Sequence, residues 1–261
     1  MKISIIIPAY NEEKRIATPL ESYASFFRSK KQNKNIEDFR IIVVINNTTD
    51  KTEEVVKKLK KKYKEIEYLN FKQGGKGFAV KEGFKYALEK KDDIVGFTDA
   101  DVSTPPASFY KLIQNIKEND GAIASRYLPD SVIKPELPFI RIFVSRVFNF
   151  LVRSLFFLNY KDTQCGAKIF KREALKKLIG SFEMTQWAFD VDMLYNARKL
   201  GLKIKEVPIF WSSAEEGKLK VKKASAQMFF AIIQLRILRS PIKKAWWFFK
   251  PLVGLLYSLF K

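Results

Sequence analysis

Residues 3–10, ISIIIPAY, form an apolar run closed by Pro8, and residues 41–45 and 94–97 form two more. Runs of this kind, without polar alternation, predict strands covered on both faces. Residues 65–71 and 121–128 read as two further strands. The stretches between them carry helical spacing. Residues 11–29 begin with acidic side chains, residues 48–66 have a capping-type start and a lysine-rich solvent face, residues 74–91 open on a glycine turn, and residues 105–119 complete the set. Strand and helix alternate throughout, which predicts an α/β fold with a mostly parallel sheet between helices. Ligands of such sheets gather at the carboxyl ends of the strands. Pro8–Glu12, Asn46–Asp50, Gly74–Gly77 and Asp99–Asp101 all fall at those ends, so these polar clusters converge on one edge.

Past residue 132 the pattern changes. Over residues 139–158, a rotation of about 100° per residue puts Arg141, Ser145, Arg146, Asn149 and Arg153 on one side of a helix. Phe143, Val147, Phe150, Leu151 and Phe157 fall on the other. Residues 162–178 and 187–201 return to globular patterning, and residues 204–211 read as a late strand. From residue 226 to 261 aromatic and basic residues interleave, broken by Pro241 and Pro251. The expected division is therefore a main domain over 1–225 and a membrane-associating segment over 226–261, with Trp246 and Trp247 at head-group depth.

Composition narrows the chemistry. The 261 residues include 48 Lys and Arg against 28 Asp and Glu, a formal charge of +20 that implies an anionic partner. There is no histidine, which excludes His-based acid–base catalysis, His-ligated zinc and Ser–His triads. Cys165 is the only cysteine, so no intrachain disulfide forms and a reducing compartment fits. The apolar part of the N-terminus is short for a secretory signal, and charges interrupt every stretch long enough to span a bilayer.

Asp99 and Asp101 are the first candidate site. Two apart on an extended segment, they point the same way and offer hard oxygens to Mg²⁺ or Mn²⁺ and, through the metal, to a diphosphate. The plainer alternative is a strand-end turn with Asp101 capping the helix that starts near Pro105. Residues 74–77, GGKG, offer backbone amides and Lys76 to phosphates but lack the spacing of a P-loop.

Taken in order, IIIPAYNEEKRI, VVINNTTDKT, GGKGFAVKEGF, FTDADVSTP, ASRY, DTQCGAKIF and WAFDVDML with EVPIFW resemble the motifs of family-2 glycosyltransferases, over roughly residues 3–220. The nearest pattern is that of the polyprenyl-phosphate sugar synthases, in particular those that glucosylate dolichyl phosphate. The resemblance implies a GT-A nucleotide-binding sandwich with an Asp-x-Asp metal site. It assigns Pro8, Tyr10, Asn11 and Glu12 to the base and ribose, with Asn46 where the family has an aspartate and Ile45 replacing another. It lays Lys76 and Gly77 along the nucleotide, Asp99 near the sugar and Asp101 on the metal. Ser103 stands where some relatives carry a glutamine ligand.

The acceptor remains to be chosen. A hydroxyl acceptor needs a general base, for which Asp190 and Asp192 are the candidates. A phosphate monoester is already an anion and needs cations instead. Arg126, Arg141 and Arg146, joined by Lys218 and Lys220, can supply them, and lipid head groups are the competing partner of the helix arginines. The expected activity is inverting transfer from a UDP-sugar, with a GDP-sugar second, to dolichyl or another polyprenyl phosphate. Catalytic roles fall to Asp99, Asp101 and Arg126, at the cytoplasmic face of a membrane as a peripheral or monotopic protein. The alternatives are transfer to a glycan or glycolipid hydroxyl and, from another class, a basic nucleic-acid-binding protein. Against the last, no nucleic-acid-binding module is recognisable, and a metal-free aspartate pair repels phosphate.

Overall fold

The structure is a computed structural model that describes residues 1–183, 188–212 and 221–240. Lys218, Lys220, Trp246, Trp247 and the tail beyond residue 240 lie outside the described residues.

The expected strands form as β1 (Lys2–Ala9), β2 (Asp38–Asn46), β3 (Ile66–Phe71), β4 (Ile94–Phe97) and β5 (Gly121–Ser125). The helices between them are α1 (Ala17–Gln32), α2 (Thr52–Lys62), α3 (Lys76–Glu89) and α4 (Pro106–Ile116). After β5 come a short strand β6 (Val132–Lys134), helix α5 (Phe139–Phe156), strand β7 (Lys168–Lys171) and helix α6 (Arg172–Leu178). Helix α7 (Phe189–Lys199), strands β8 (Ile204–Pro208) and β9 (Phe210–Ser212) and helix α8 (Val221–Leu238) follow.

The main sheet has the order β3-β2-β1-β4-β7-β5-β8. It is parallel except for β7, which runs antiparallel between β4 and β5. The strands are apolar on both faces because helices cover both. Ile3, Ile5 and Ile7 pack with Leu20, Phe27 and Phe109 on one side. Ile6, Ile42 and Val44 pack with Val80 and Phe84 on the other.

Several local expectations shift. Pro8 lies within β1 opposite Val44 rather than ending the strand. Residues 11–16 form turns and α1 starts only at Ala17, so its first turn carries no acidic residue. Glu12 and Glu13 instead bind the start of α2, where Glu12 N donates to Thr52 Oγ1 (2.7 Å) and Glu13 N to Asp50 Oδ2 (3.0 Å).

Helix α5 is amphipathic as expected, but its apolar side faces outward. Phe139, Phe150 and Phe157, just past its end, are 81%, 67% and 68% exposed. The polar side holds neighbouring chain. Asn149 Nδ2 donates to Lys161 O (2.8 Å), its Oδ1 accepts from Thr163 Oγ1 (2.9 Å), and Arg146 Nη1 donates to Lys161 O (2.9 Å).

Helix α8 crosses the boundary expected at residue 225. Its Ala231, Ile232 and Leu235 are buried with Val152, Phe156 and Val191, so this part of the chain belongs to the core. Just beyond it, Arg239 Nη2 lies 2.6 Å from Asp192 Oδ1, which is fully buried. Breaking a buried pair leaves one charge uncompensated. Arg239→Ala should therefore lower unfolding stability by about 3 kcal/mol, read as a fall in the urea midpoint, and truncation at residue 225 should yield unfolded protein rather than a soluble enzyme.

Candidate active site

The carboxyl ends of β1, β2 and β4, with the turn after β3, surround a cleft of 840 Å³. Its lining includes Pro8, Tyr10, Glu12, Asn46, Lys76 and Asp99. A second chamber of 500 Å³ shares Gly75, Lys76, Asp99 and Asp101 with it and extends to Arg126, Arg141 and Asp190. The two spaces meet at the aspartate pair.

The first cleft is built by loop-to-loop bonds. Asn11 faces solvent, yet its Oδ1 accepts from Thr49 N (2.9 Å), tying the loop after β1 to the loop after β2. Glu12 pairs with Arg15, which also lines the cleft. Asn46 is buried, and with its amide nitrogen facing Ala9 O (3.0 Å) its oxygen accepts from Gly75 N (3.1 Å). That one side chain joins three of the converging segments. Gly75 caps α3 at φ 118°, a conformation that favours glycine. Gly77 serves packing instead, because a β-carbon there would stand 2.6 Å from Phe189 Cγ, and Gly77 is not among the residues lining the cleft.

Strand β4 ends at Phe97, so Asp99 follows it outside the strand and Asp101 sits in a turn, rather than both on an extended segment. Lys76 Nζ lies 2.6 Å from Asp99 Oδ1. Burial pushes the Asp99 carboxyl above the usual carboxylate range; Asp101 and Asp190 add to this and Lys76 opposes it. Burial works against the Lys76 ammonium, but Asp99 and Asp190 outweigh it and hold its pKa above the ordinary value. Asp101 Oδ1 accepts from Ser103 N (2.9 Å), while α4 begins after Pro105 with no side-chain cap. The helix-capping alternative for Asp101 is thereby excluded.

Two carboxylates and an ammonium are what the protein brings to this turn. No group of three His, Cys, Asp or Glu side chains suited to a metal occurs among the described residues. A cation held by Asp99 and Asp101 would need further oxygens. Ser103 Oγ is buried without a partner among the described residues and lies beside them, and a diphosphate would add its own oxygens. The donor set is all hard oxygen and fits Mg²⁺ or Mn²⁺.

The second chamber depends on the loop 162–167 that leads into β7. Asp162 takes Arg126 Nε (2.7 Å) and Nη2 (3.0 Å) and also the Arg126 backbone N–H (3.0 Å). Burial opposes the Asp162 carboxylate, but Arg126 outweighs it and holds the carboxyl below its usual range. Lys168, fully buried, donates to Cys165 O (2.7 Å) and Asp190 Oδ1 (2.6 Å). A β-carbon on Gly166 would collide with the Asp99 carboxylate, 2.5 Å from its Cγ. Asp162, Gln164, Gly166 and Lys168 all lie in the DTQCGAKIF motif, whose individual roles the sequence left unassigned.

Of the other expected residues, Arg141 lines the second chamber. Arg146 does not; it lies 4.7 Å over the Tyr127 ring and bonds Lys161. Asp192 is no site residue: it is buried beneath Arg239, Asn196 Nδ2 (2.9 Å) and Glu183 N (2.8 Å).

A doubly covered, mostly parallel sheet with an Asp-x-Asp turn at its carboxyl edge defines a GT-A-type glycosyltransferase. The chain belongs to the family described as glycosyl transferase family 2, whose model matches residues 4–179. It is 32% identical to a dolichyl-phosphate beta-glucosyltransferase of Dictyostelium discoideum over 90% of this chain and 73% of that one. It is 33% identical to one of Drosophila melanogaster (84% and 69%) and 29% identical to the human one (84% and 69%). Among solved structures it resembles glucosyl-3-phosphoglycerate synthase from Mycobacterium tuberculosis in complex with Mn²⁺, UDP-glucose and phosphoglyceric acid. That match has a TM-score of 0.66 at 19% identity, covering 92% of this chain and 81% of that one, and bears on the fold.

The two glycines give opposite expectations. Gly166→Ala meets only the end of a short side chain, so unfolding stability should change by less than about 1 kcal/mol. The displaced Asp99 should nevertheless cost transfer about 100-fold. Gly77→Ala meets the packed Phe189 ring and should lose about 1–3 kcal/mol of stability. Thermal melts and initial rates of both variants check the pair. Burial also pushes the Cys165 thiol up to about 12, so roughly one molecule in ten thousand carries the thiolate at about pH 8. The native protein should resist iodoacetamide at that pH and react at once in urea.

Proposed function

We propose that this glycosyltransferase moves glucose from UDP-glucose to dolichyl phosphate with inversion at the anomeric carbon, using Mg²⁺ or Mn²⁺ at Asp99 and Asp101. The observation that carries the reading is the pair of spaces meeting at those aspartates, one suited to a nucleotide and the other lined by Arg126 and Arg141. The named relatives support the sugar and the acceptor.

With the nucleotide in the first cleft, its diphosphate reaches Asp99, Asp101 and Lys76. The metal, when bound, neutralises the diphosphate and stabilises it as a leaving group. The acceptor phosphate enters the second chamber between Arg126 and Arg141. Asp162 occupies Nε and Nη2 of Arg126, so this guanidinium is fixed in orientation and presents its remaining edge. An acceptor oxygen forms the bond to the anomeric carbon from the chamber side. The bond to the diphosphate breaks on the opposite side, and UDP leaves with the electron pair. No proton has to be removed from a phosphate dianion, so positioning and charge supply the rate. The exposed apolar side of α5 would rest in the membrane interface and bring the lipid phosphate to Arg141, which lies on the same helix. Such a protein works as a peripheral or monotopic enzyme on the leaflet that faces the nucleotide-sugar pool.

A second reading, transfer to a hydroxyl, is favoured by one observation: Asp190 lines the second chamber, where a base would stand. One of its oxygens is engaged by Lys168, which leaves the other for a substrate.

Purified enzyme with UDP-glucose, dolichyl phosphate and Mn²⁺ should form glucosyl phosphoryl dolichol. EDTA should stop the reaction, and Asp101→Ala should slow it on the order of 10²–10³-fold. Turnover undiminished in EDTA, or no product from any UDP- or GDP-sugar, would overturn the proposal. Arg126→Ala strips the buried Asp162 of its partner and confounds binding with folding, so Arg141→Ala is the cleaner probe. It should raise the acceptor KM by roughly 10-fold or more, the worth of a charge-assisted contact.

The rate should climb through the acceptor's second ionisation near about pH 6 and then stay level, also in Asp190→Asn. Protonation of Asp99, whose carboxyl sits above the usual range, also weakens metal binding on the acid side. That contribution should recede to lower pH as Mn²⁺ is raised, whereas the acceptor's ionisation should not. A limb at higher pH that disappears in Asp190→Asn would assign a hydroxyl acceptor instead.

A further inference from the structure

We infer that Gln164 donates a hydrogen bond to one hydroxyl of the transferred sugar and thereby sets which sugar the enzyme accepts. The inference rests on the proposed transfer and names a determinant within the same site. The Gln164 side-chain nitrogen is buried and has no hydrogen-bond partner among the described residues, and Gln164 lines the second chamber with Gly166 and Asp190. Buried polar groups are nearly always paired, so an unpaired one at a chamber wall points to a ligand.

Its position is set from both sides. Gln164 N donates to Asp162 Oδ1 (3.2 Å), and two residues further on Gly166 is pressed against Asp99. The polar groups around it are satisfied within the protein: Asp162 by Arg126, Thr163 by Asn149, and the Cys165 carbonyl by Lys168. The amide nitrogen can only donate, so its ligand must accept.

Two acceptors enter the chamber, the lipid phosphate and the sugar hydroxyls. The phosphate is met by the charges of Arg126 and Arg141. The sugar has to lie between those arginines and the diphosphate at Asp99, where Gln164 and Asp190 form the wall. A neutral amide donor suits a neutral hydroxyl. Ser103 Oγ, also without a partner among the described residues and lining this chamber, can both accept and donate, so it does not demand the same ligand. A buried donor built for a substrate hydroxyl rejects the analogue that lacks it, because the donor is then left unpaired.

The experiment compares UDP-glucose with its 2-, 3-, 4- and 6-deoxy analogues and with UDP-galactose, dolichyl phosphate being the acceptor throughout. For the wild type, one deoxy analogue should lose at least about 50-fold in kcat/KM. In Gln164→Leu the parent donor should fall to the level of that analogue, closing the gap to within about threefold. The acceptor KM should stay within about twofold, and the melting temperature and UDP affinity of the variant should match the wild type. Gln164→Glu adds a charge and accepts from the same hydroxyl instead of donating to it, so it should recover part of the parent rate, whereas a phosphate would be repelled. A gap that persists in Gln164→Leu overturns the inference, and so does a rise confined to the acceptor KM. Absence of transfer from every donor by the wild type would instead overturn the proposed function.

Discussion

Gly166 lies so close to Asp99 that no side chain fits between them, and the arrangement of the whole site depends on that contact. It exists because β7 runs against the direction of its neighbours. Phe97 at the end of β4 pairs with Lys168 at the start of β7, so the chain entering β7 must pass the carboxyl edge of the sheet. On the way it holds Arg126 through Asp162 and Asp190 through Lys168. A parallel strand in the same place would put its first residue at the far edge, and none of these contacts would form.

Charge at this edge is arranged in small closed sets. Lys76 with Asp99, Lys168 with Asp190 and Arg126 with Asp162 each join an ammonium or guanidinium to a carboxylate at 2.6–2.7 Å. The ammonium groups of Lys76 and Lys168 both lie within 6 Å of the Phe97 ring centre, at 5.7 and 5.5 Å. Charges held this way have defined positions before any ligand binds, which is what preorganised electrostatic stabilisation requires.

Helix α5 links that site to the exterior. Its polar stripe grips residues 161–163 through Arg146 and Asn149, and Arg141 lines the second chamber. The bulky apolar residues that a soluble helix would bury are turned outward. The same helix thus supports the loop before β7 and offers an apolar surface on the element that carries Arg141 into the second chamber.

Apolar runs were enough to place three of the five leading strands, and glycine, proline and paired aspartates marked the turns at strand ends, because local spacing and backbone chemistry act over a few residues. Asp99, Asp101, Lys76 and Asn46 were legible for that reason. What each later polar residue does was not. Asp190 and Asp192 stand two apart with the same chemistry, yet one lines the chamber and the other is sealed under Arg239. Gly77 and Gly166 look equally like turn glycines, yet one admits Phe189 and the other Asp99. Arg126 reads as a free cation until Asp162 is brought to it across 36 residues. The alternation of α5 determined that it has two faces but not which one turns inward. These choices depend on partners far along the chain, and only the tertiary structure decided them, the reversed direction of β7 deciding those made by residues 162–168.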